Sequence, residues 1–208
     1  MKTITIASAK GGSGKSTITS ALVVRACQDT KRVAMMDLNF DQGSLSRWWE
    51  VRGEPDAPKL IDEDDIENIP RDVKALAAAY DWLFIDTPPV EMDLIEQAIA
   101  VSDAVVIPVR SGFFDIIAVQ SVIEMCTERR KPFATLLNAV DGQHKTVNKQ
   151  ALVALEAIGP TFSTQISCRQ PYIQALVIGK TGPELDKKLR LEIDSLWSEV
   201  KRLAGGAK

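Results

Sequence analysis

The residues best suited to chemistry lie within the first twenty positions. Ala9-Lys10-Gly11-Gly12-Ser13-Gly14-Lys15-Ser16-Thr17 follows an alternating segment, Lys2 to Ser8, and precedes the apolar periodicity of Ile18, Ala21, Leu22 and Val24. Strand, glycine-rich turn and helix therefore come in the order a phosphate site requires. Glycines let the backbone curl so that several N–H groups point inward, and the helix N-terminus adds partial positive charge. Lys15 is placed to reach β- and γ-phosphates and Ser16 to ligate Mg²⁺. A nucleoside triphosphate is the implied ligand, bound by Gly11, Gly12, Ser13, Gly14, Lys15, Ser16 and Thr17. The usual pattern opens on Gly where this chain has Ala9, one departure from an otherwise complete loop.

A second group sits at a strand end. Trp82-Leu83-Phe84-Ile85 delivers Asp86 to the C-terminal end of a strand, where open α/β sheets place their ligands. Asp86 would hold a water of the Mg²⁺ shell, because Mg²⁺ keeps several waters and takes few protein carboxylates.

Lys10-Gly11-Gly12-x-Gly14-Lys15-Ser16 resembles the deviant Walker A motif of the ParA/MinD ATPases, which implies ATP as the triphosphate. The resemblance also implies that Lys10 joins the nucleotide site in trans, crossing a dimer interface to stabilise charge on the partner's phosphates as an arginine finger does. Met36-Asp37-Leu38-Asn39-Phe40-Asp41-Gln42 is similar to the family's strand end Asp-x-Asp-Pro-Gln. Asp37 matches the first acid, near Mg²⁺ (through water) and the attacking water. The second, which aids hydrolysis, is Asn39, or Asp41 if one residue is inserted. An Asn orients a water but cannot accept its proton, so this departure bears on hydrolysis rate and not on binding. Ile107-Pro108-Val109 looks like a family loop, with Asp115 opening the next helix; a plain helix N-terminal acid is the other reading of Asp115. Asn138 stands where the family often contacts adenine, or else forms a turn.

Cys168-Arg169-Gln170-Pro171-Tyr172 is similar to a segment of small plasmid-type ParA proteins, and the resemblance spans essentially the whole chain. It implies an ATP-dependent homodimer that binds nonspecific DNA and is recycled by a ParB-like or adaptor protein stimulating hydrolysis. Its cargo would be a plasmid, a chromosome region or a protein assembly. Arg169, Lys180, Lys187, Lys188 and Arg190 are the DNA-binding candidates, with a solvated helix face as the plain alternative. No added DNA-reading domain is expected ahead of the first strand.

The elements that must position these groups follow a βαβα rhythm. The expected fold is α/β, a single doubly wound, mostly parallel sheet with helices on both faces, of the P-loop NTPase type. Strands are expected at Lys2–Ser8, Arg32–Leu38, Trp82–Asp86, Ala104–Val109, Phe133–Asn138 and Phe162–Ile166. Helices are expected near Ser16, Leu45, Arg71, Asp93, Phe114, Thr146 and Pro171, with a last one over Glu184–Leu203. One domain covers 1–208, with a proline-rich, acidic surface excursion over 53–70 and a frayed tail over 204–208.

Composition agrees. The 208 residues are 45% hydrophobic and 25% charged with net charge −3, which describes a globular domain and not a wholesale nucleic-acid binder. Three scattered cysteines fit neither a disulfide framework nor a zinc spacing. His144 lies in a polar stretch, so nucleophilic catalysis on histidine is not expected. No apolar run approaches the roughly 20 residues of a membrane helix, and no signal peptide is evident, so a cytoplasmic protein, nucleoid-associated when ATP-bound, is expected. Two further readings differ in class. A MinD-like membrane-cycling ATPase would use the last helix, whose apolar stripe is Leu189, Ile193, Leu196, Val200 and Leu203. The mixed charges opposite that stripe favour packing on the core, with no stable membrane insertion. A nucleotide-dependent scaffold with very slow hydrolysis would follow from Asn39.

Overall fold

A computed structural model describes residues 1–205. Six strands, β1 (Lys2–Ile6), β2 (Val33–Asp37), β3 (Lys59–Leu60), β4 (Trp82–Asp86), β5 (Ala104–Val109) and β6 (Phe133–Leu137), form one sheet in the order β3-β2-β4-β1-β5-β6. Every pairing is parallel. Parallel strands need crossovers, and these are supplied by α1 (Lys15–Asp29), α2 (Ser44–Val51), α3 (Ile69–Leu76), α4 (Met92–Val101), α5 (Phe113–Ala118) and α6 (Gln120–Glu128). Beyond β6 come α7 (Lys145–Ile158), α8 (Gln170–Leu176), α9 (Gly182–Leu185) and α10 (Lys187–Gly205).

The strands are apolar on both faces because both are covered. Ile4, Ile6, Met35, Phe84 and Val106 pack into one core with Leu22 of α1, Trp48 of α2 and Leu196 and Trp197 of α10. Val105 and Ile107 face Ile99, Val122 and Leu155 from the opposite side, where Met36, Leu83 and Ile85 meet Ile69 and Val73 of α3. The doubly wound, parallel fold expected from the alternation is thus observed.

Four details differ from the sequence reading. Phe162 and Ile166 are buried, the alternation that suggested a strand, yet this segment forms only isolated bridges. Glu199 of α10 explains the break, because its carboxylate takes the backbone N–H groups of Ser163 and Thr164 at 2.9 and 3.0 Å. The expected last helix divides at Asp186, whose extended backbone ends α9. Its carboxylate then accepts from Lys188 N at 2.7 Å and Leu189 N at 3.2 Å, starting α10. That helix continues through Ala204 and Gly205, with Ala204 buried, where a frayed tail is expected; residues 206–208 of that tail lie outside the described residues. The 53–70 excursion carries an acidic, exposed turn at Glu63–Asp65, but Lys59 and Leu60 also join the sheet as its edge strand beside Ala34 and Met35.

Candidate nucleotide-binding site

Strand register levels the site. β1 lies between β4 and β5, Ile6 is paired with Asp86, and Asp86 is paired with Asp37. The glycine-rich loop leaves β1 at this central position, above both acids. Gly12 (φ 72°) and Gly14 (φ 94°) adopt left-handed backbone, which glycine enters without the Cβ penalty. Gly14 is also held close, since a Cβ there would lie 2.2 Å from Asn138 Nδ2. Asn138 donates that amide to the Ser13 carbonyl at 2.7 Å. The residue read as an adenine contact or a turn former therefore first clamps the phosphate loop, which commits one of its two amide hydrogens.

Lys15, buried at the start of α1, points Nζ toward the carbonyls of Ser8 (3.3 Å) and Lys10 (3.4 Å). Burial lowers its pKa, against the opposing pull of the Asp86 charge. Ser16 donates to Asp86 Oδ2 at 2.6 Å, and Thr19, one turn along α1, reaches Asp86 Oδ1 at 3.3 Å. Burial, and then the nearby Asp37 carboxylate, push Asp86 up to about 7. Desolvation and a second acid both disfavour ionisation, and the Lys15 ammonium and the Ser16 hydroxyl offset this only in part.

Asp37 is held differently. Its Oδ2 accepts from the N–H groups of Leu45 (2.9 Å) and Ser46 (3.1 Å), and Oδ1 accepts from Asn39 N at 3.1 Å. It thus anchors the first turn of α2 and the loop leading to it. Asn39 is buried, with its amide 3.3 Å from Gln42 Oε1, whereas Asp41 is exposed in a turn. Of the two alternatives for the second acid position, Asn39 borders the cleft that opens over the loop and Asp41 does not. That cleft, about 500 Å³, runs from Gly11–Thr17 past Asn39, Gln42 and Arg47 to Trp48, Leu176 and Val177.

The donor set fits a Mg²⁺-bound triphosphate. Ser13 Oγ is buried in the loop without a partner, and the Ser16 hydroxyl and Asp86 carboxylate converge as hard oxygen ligands beneath it. Among the described residues no group of three or more His, Cys, Asp or Glu side chains is placed to hold a metal, and Mg²⁺ needs only one or two carboxylates.

Lys10 lies beside the loop with Nζ 2.8 Å from Asp115 Oδ1, a pairing between residues 105 positions apart in number that no local signal announces. Thr19 and Arg47 also escaped the sequence reading; of these Thr19 carried a signal, three residues after Ser16 on one helix face. The DNA candidates have different immediate surroundings. Arg169 and Lys188 border the same depression, with Arg169 3.5 Å from Asp186. Arg190 instead donates to the Pro183 carbonyl at 3.2 Å beside a different groove. Lys180 and Lys187 are exposed. The stripe of α10 is committed inward: Leu189, Ile193, Leu196 and Val200 are buried in the core shared with α1. No described helix is long and apolar enough to cross a membrane.

Comparison with known proteins places this geometry. Residues 4–179 match the CobQ/CobB/MinD/ParA nucleotide binding domain. The chain is 28% identical, over 95% of its length and 95% of the relative's, to maintenance of carboxysome distribution protein A of Halothiobacillus neapolitanus. Its fold is similar to that of apo McdA from Cyanothece (TM-score 0.79, 19% identity, 99% of this chain and 100% of that one). The same holds for the septum site-determining protein MinD of Pyrococcus horikoshii OT3, complexed with Mg-ADP (TM-score 0.74, 18% identity, 98% and 97% covered).

Proposed function

The chain belongs to the CobQ/CobB/MinD/ParA nucleotide-binding family, and we propose that it is a positioning ATPase that dimerises on ATP, binds nonspecific DNA in that state and is recycled by a hydrolysis-stimulating partner. One observation carries the nucleotide part of this reading: Lys15, Ser16 and Asp86 converge at a loop with left-handed glycines that borders an open cleft. The carboxysome-distribution relative, matched along 95% of both chains, supports positioning of a cargo over metabolic chemistry.

The residues divide the work of phosphoryl transfer. Loop N–H groups and Lys15 would hold the β- and γ-phosphates, and Ser16 and Asp86 would hold Mg²⁺. When bound, Mg²⁺ neutralises charge developing on the phosphate oxygens. Asp37 keeps the 38–44 loop and α2 in register with Asp86, and Asn39 orients the attacking water without taking its proton. Lys10 of one copy completes the charge stabilisation at the other's γ-phosphate, so hydrolysis depends on dimerisation. The exposed bases around Arg169 and Lys188, doubled in the dimer, meet DNA phosphates without reading sequence.

Binding to random-sequence duplex DNA across a salt series, with ATP, ADP or no nucleotide, tests this reading. ATP-specific binding that weakens steeply with salt is expected. Absence of binding at low salt with ATP and Mg²⁺ would remove DNA from the mechanism. The buried stripe of α10 argues against membrane cycling, and sedimentation with anionic liposomes checks that alternative.

A further inference from the structure

We propose that Arg47 contacts the terminal phosphate of the nucleotide from within the same chain and so makes the site prefer a triphosphate to a diphosphate. This rests on the reading above, in which the cleft over the loop holds ATP. Among the described residues that line this cleft, two side chains carry charge, Lys15 and Arg47, and both are cations. A space with two bases and no acid on its walls suits an anion. Lys15 belongs to the loop side, whereas Arg47 comes from α2, on a wall shared with Asn39, Gln42 and Ser44. Loop N–H groups cradle the inner phosphates, so what projects toward Asn39 and Arg47 is the outer one. The helix is a fixed platform for this contact. At its start Asp37 accepts from the N–H groups of Leu45 and Ser46. At its end Trp48 donates Nε1 to the Lys180 carbonyl at 3.1 Å, and Arg52 donates to the Gly179 carbonyl at 2.8 Å and to both Glu184 oxygens at 3.0 Å. Gly179 packs so closely there that a Cβ would stand 2.5 Å from Arg52 Cα. Two arginines one turn apart thus differ. Arg52 is committed to the protein, whereas Arg47 is exposed and its side chain makes no hydrogen bond or ion pair among the described residues. A planar guanidinium without a carboxylate partner is free to take two oxygens of a phosphate. ADP has no phosphate at that place, so the triphosphate alone gains the contact.

Equilibrium binding of AMPPNP and of ADP to the full chain, each with Mg²⁺ and at a low and a high protein concentration, tests the contact. A hydrogen bond to a charged group is worth roughly a factor of ten to a hundred, so Arg47→Ala is expected to weaken AMPPNP binding by about that factor and to leave ADP binding within about twofold. Arg47→Lys keeps the charge without the planar fork and is expected to fall between the parent and Arg47→Ala; a loss as large as that of Arg47→Ala would overturn the contact. A merely structural role in α2 would weaken both nucleotides alike, so an equal loss of AMPPNP and ADP would also overturn it. A contact made inside one chain gives the same loss at both protein concentrations. A loss confined to the higher one, where copies associate, would place Arg47 in the dimer and refute the proposal. Lys15→Ala separates this claim from the nucleotide reading. If the parent binds neither nucleotide, or Lys15→Ala binds both as the parent does, that reading fails and takes the role of Arg47 with it. If Lys15→Ala loses both while Arg47→Ala binds AMPPNP like the parent, the nucleotide site stands and the role of Arg47 is wrong.

Discussion

Asp37 and Asp86 occupy the same register position at the ends of adjacent parallel strands, yet their carboxylates face different partners. Asp86 turns to the hydroxyls of Ser16 and Thr19, whereas Asp37 takes the first N–H groups of α2. The difference follows from what each strand leads into. β2 is followed by a short loop that brings a helix start back over its own carboxylate, and an anion at a helix N-terminus is favoured. β4 instead presents Asp86 to the underside of α1.

Removing the Asp37 carboxylate should therefore loosen α2. Asp37→Ala is expected to cost about 1–2 kcal/mol, the range for a lost N-terminal cap, read as a shift in the urea midpoint. Arg47 and Trp48 of α2 border the cleft, so the same variant is expected to bind ATP more weakly.

Asn39 limits proton acceptance at the cleft. Asn39→Asp is expected to raise ATP turnover by about tenfold, a modest share of what general-base catalysis supplies when transition states are less dissociative. Phosphate release with saturating partner or DNA measures it, and unchanged turnover would show that proton acceptance at this position does not limit the rate.

Gly14 and Asn138 should be energetically coupled. Gly14→Ala puts a Cβ 2.2 Å from Asn138 Nδ2 at φ 94°, so ATP affinity is expected to fall sharply. In the double variant with Asn138→Ala the clash disappears and the left-handed strain remains. A double-mutant cycle is expected to return a coupling of about 0.5–3 kcal/mol, whereas additivity would mean that the loop moves aside freely.

Trp197 anchors α10. It is fully buried, packs edge-on against Trp82 with centroids 4.6 Å apart, and donates Nε1 to Asp29 Oδ2 at 2.8 Å. Trp197→Ala is expected to cost about 3–5 kcal/mol in equilibrium unfolding.

Acid should release that anchor. The Arg25 guanidinium, with the Trp197 indole N–H and Lys201, holds the Asp29 carboxyl well below the usual carboxylate range. A depressed folded pKa contributes stability that is present above the unfolded value near 3.8 and is lost as pH falls below it. Melting between pH 6 and pH 2 is expected to show a smaller acid-induced drop in Asp29→Asn than in the parent, and parallel curves would refute the assignment.

What could be read along the chain is what depends on neighbours in sequence. The phosphate loop was legible because its function lies in nine consecutive residues, with glycines for backbone curvature and Lys15 and Ser16 at the helix start. Asp37 and Asp86 were legible as acids closing apolar strands. The strand order, the pairing of Asp37 with Asp86, the Asn138 clamp on Ser13 and the bond from Lys10 to Asp115 were not, because each joins segments separated by tens of residues or more. Phe162–Ile166 shows the same boundary from the other side. Its alternation correctly forecast which side chains are buried, and Phe162 and Ile166 do donate to Thr135 and Leu137 of β6, but the N–H groups of Ser163 and Thr164 between them go to Glu199, some 35 residues away. Periodicity encodes which face of an element seeks the core, whereas a backbone or side-chain polar group bonds to whichever partner the packed elements bring within reach.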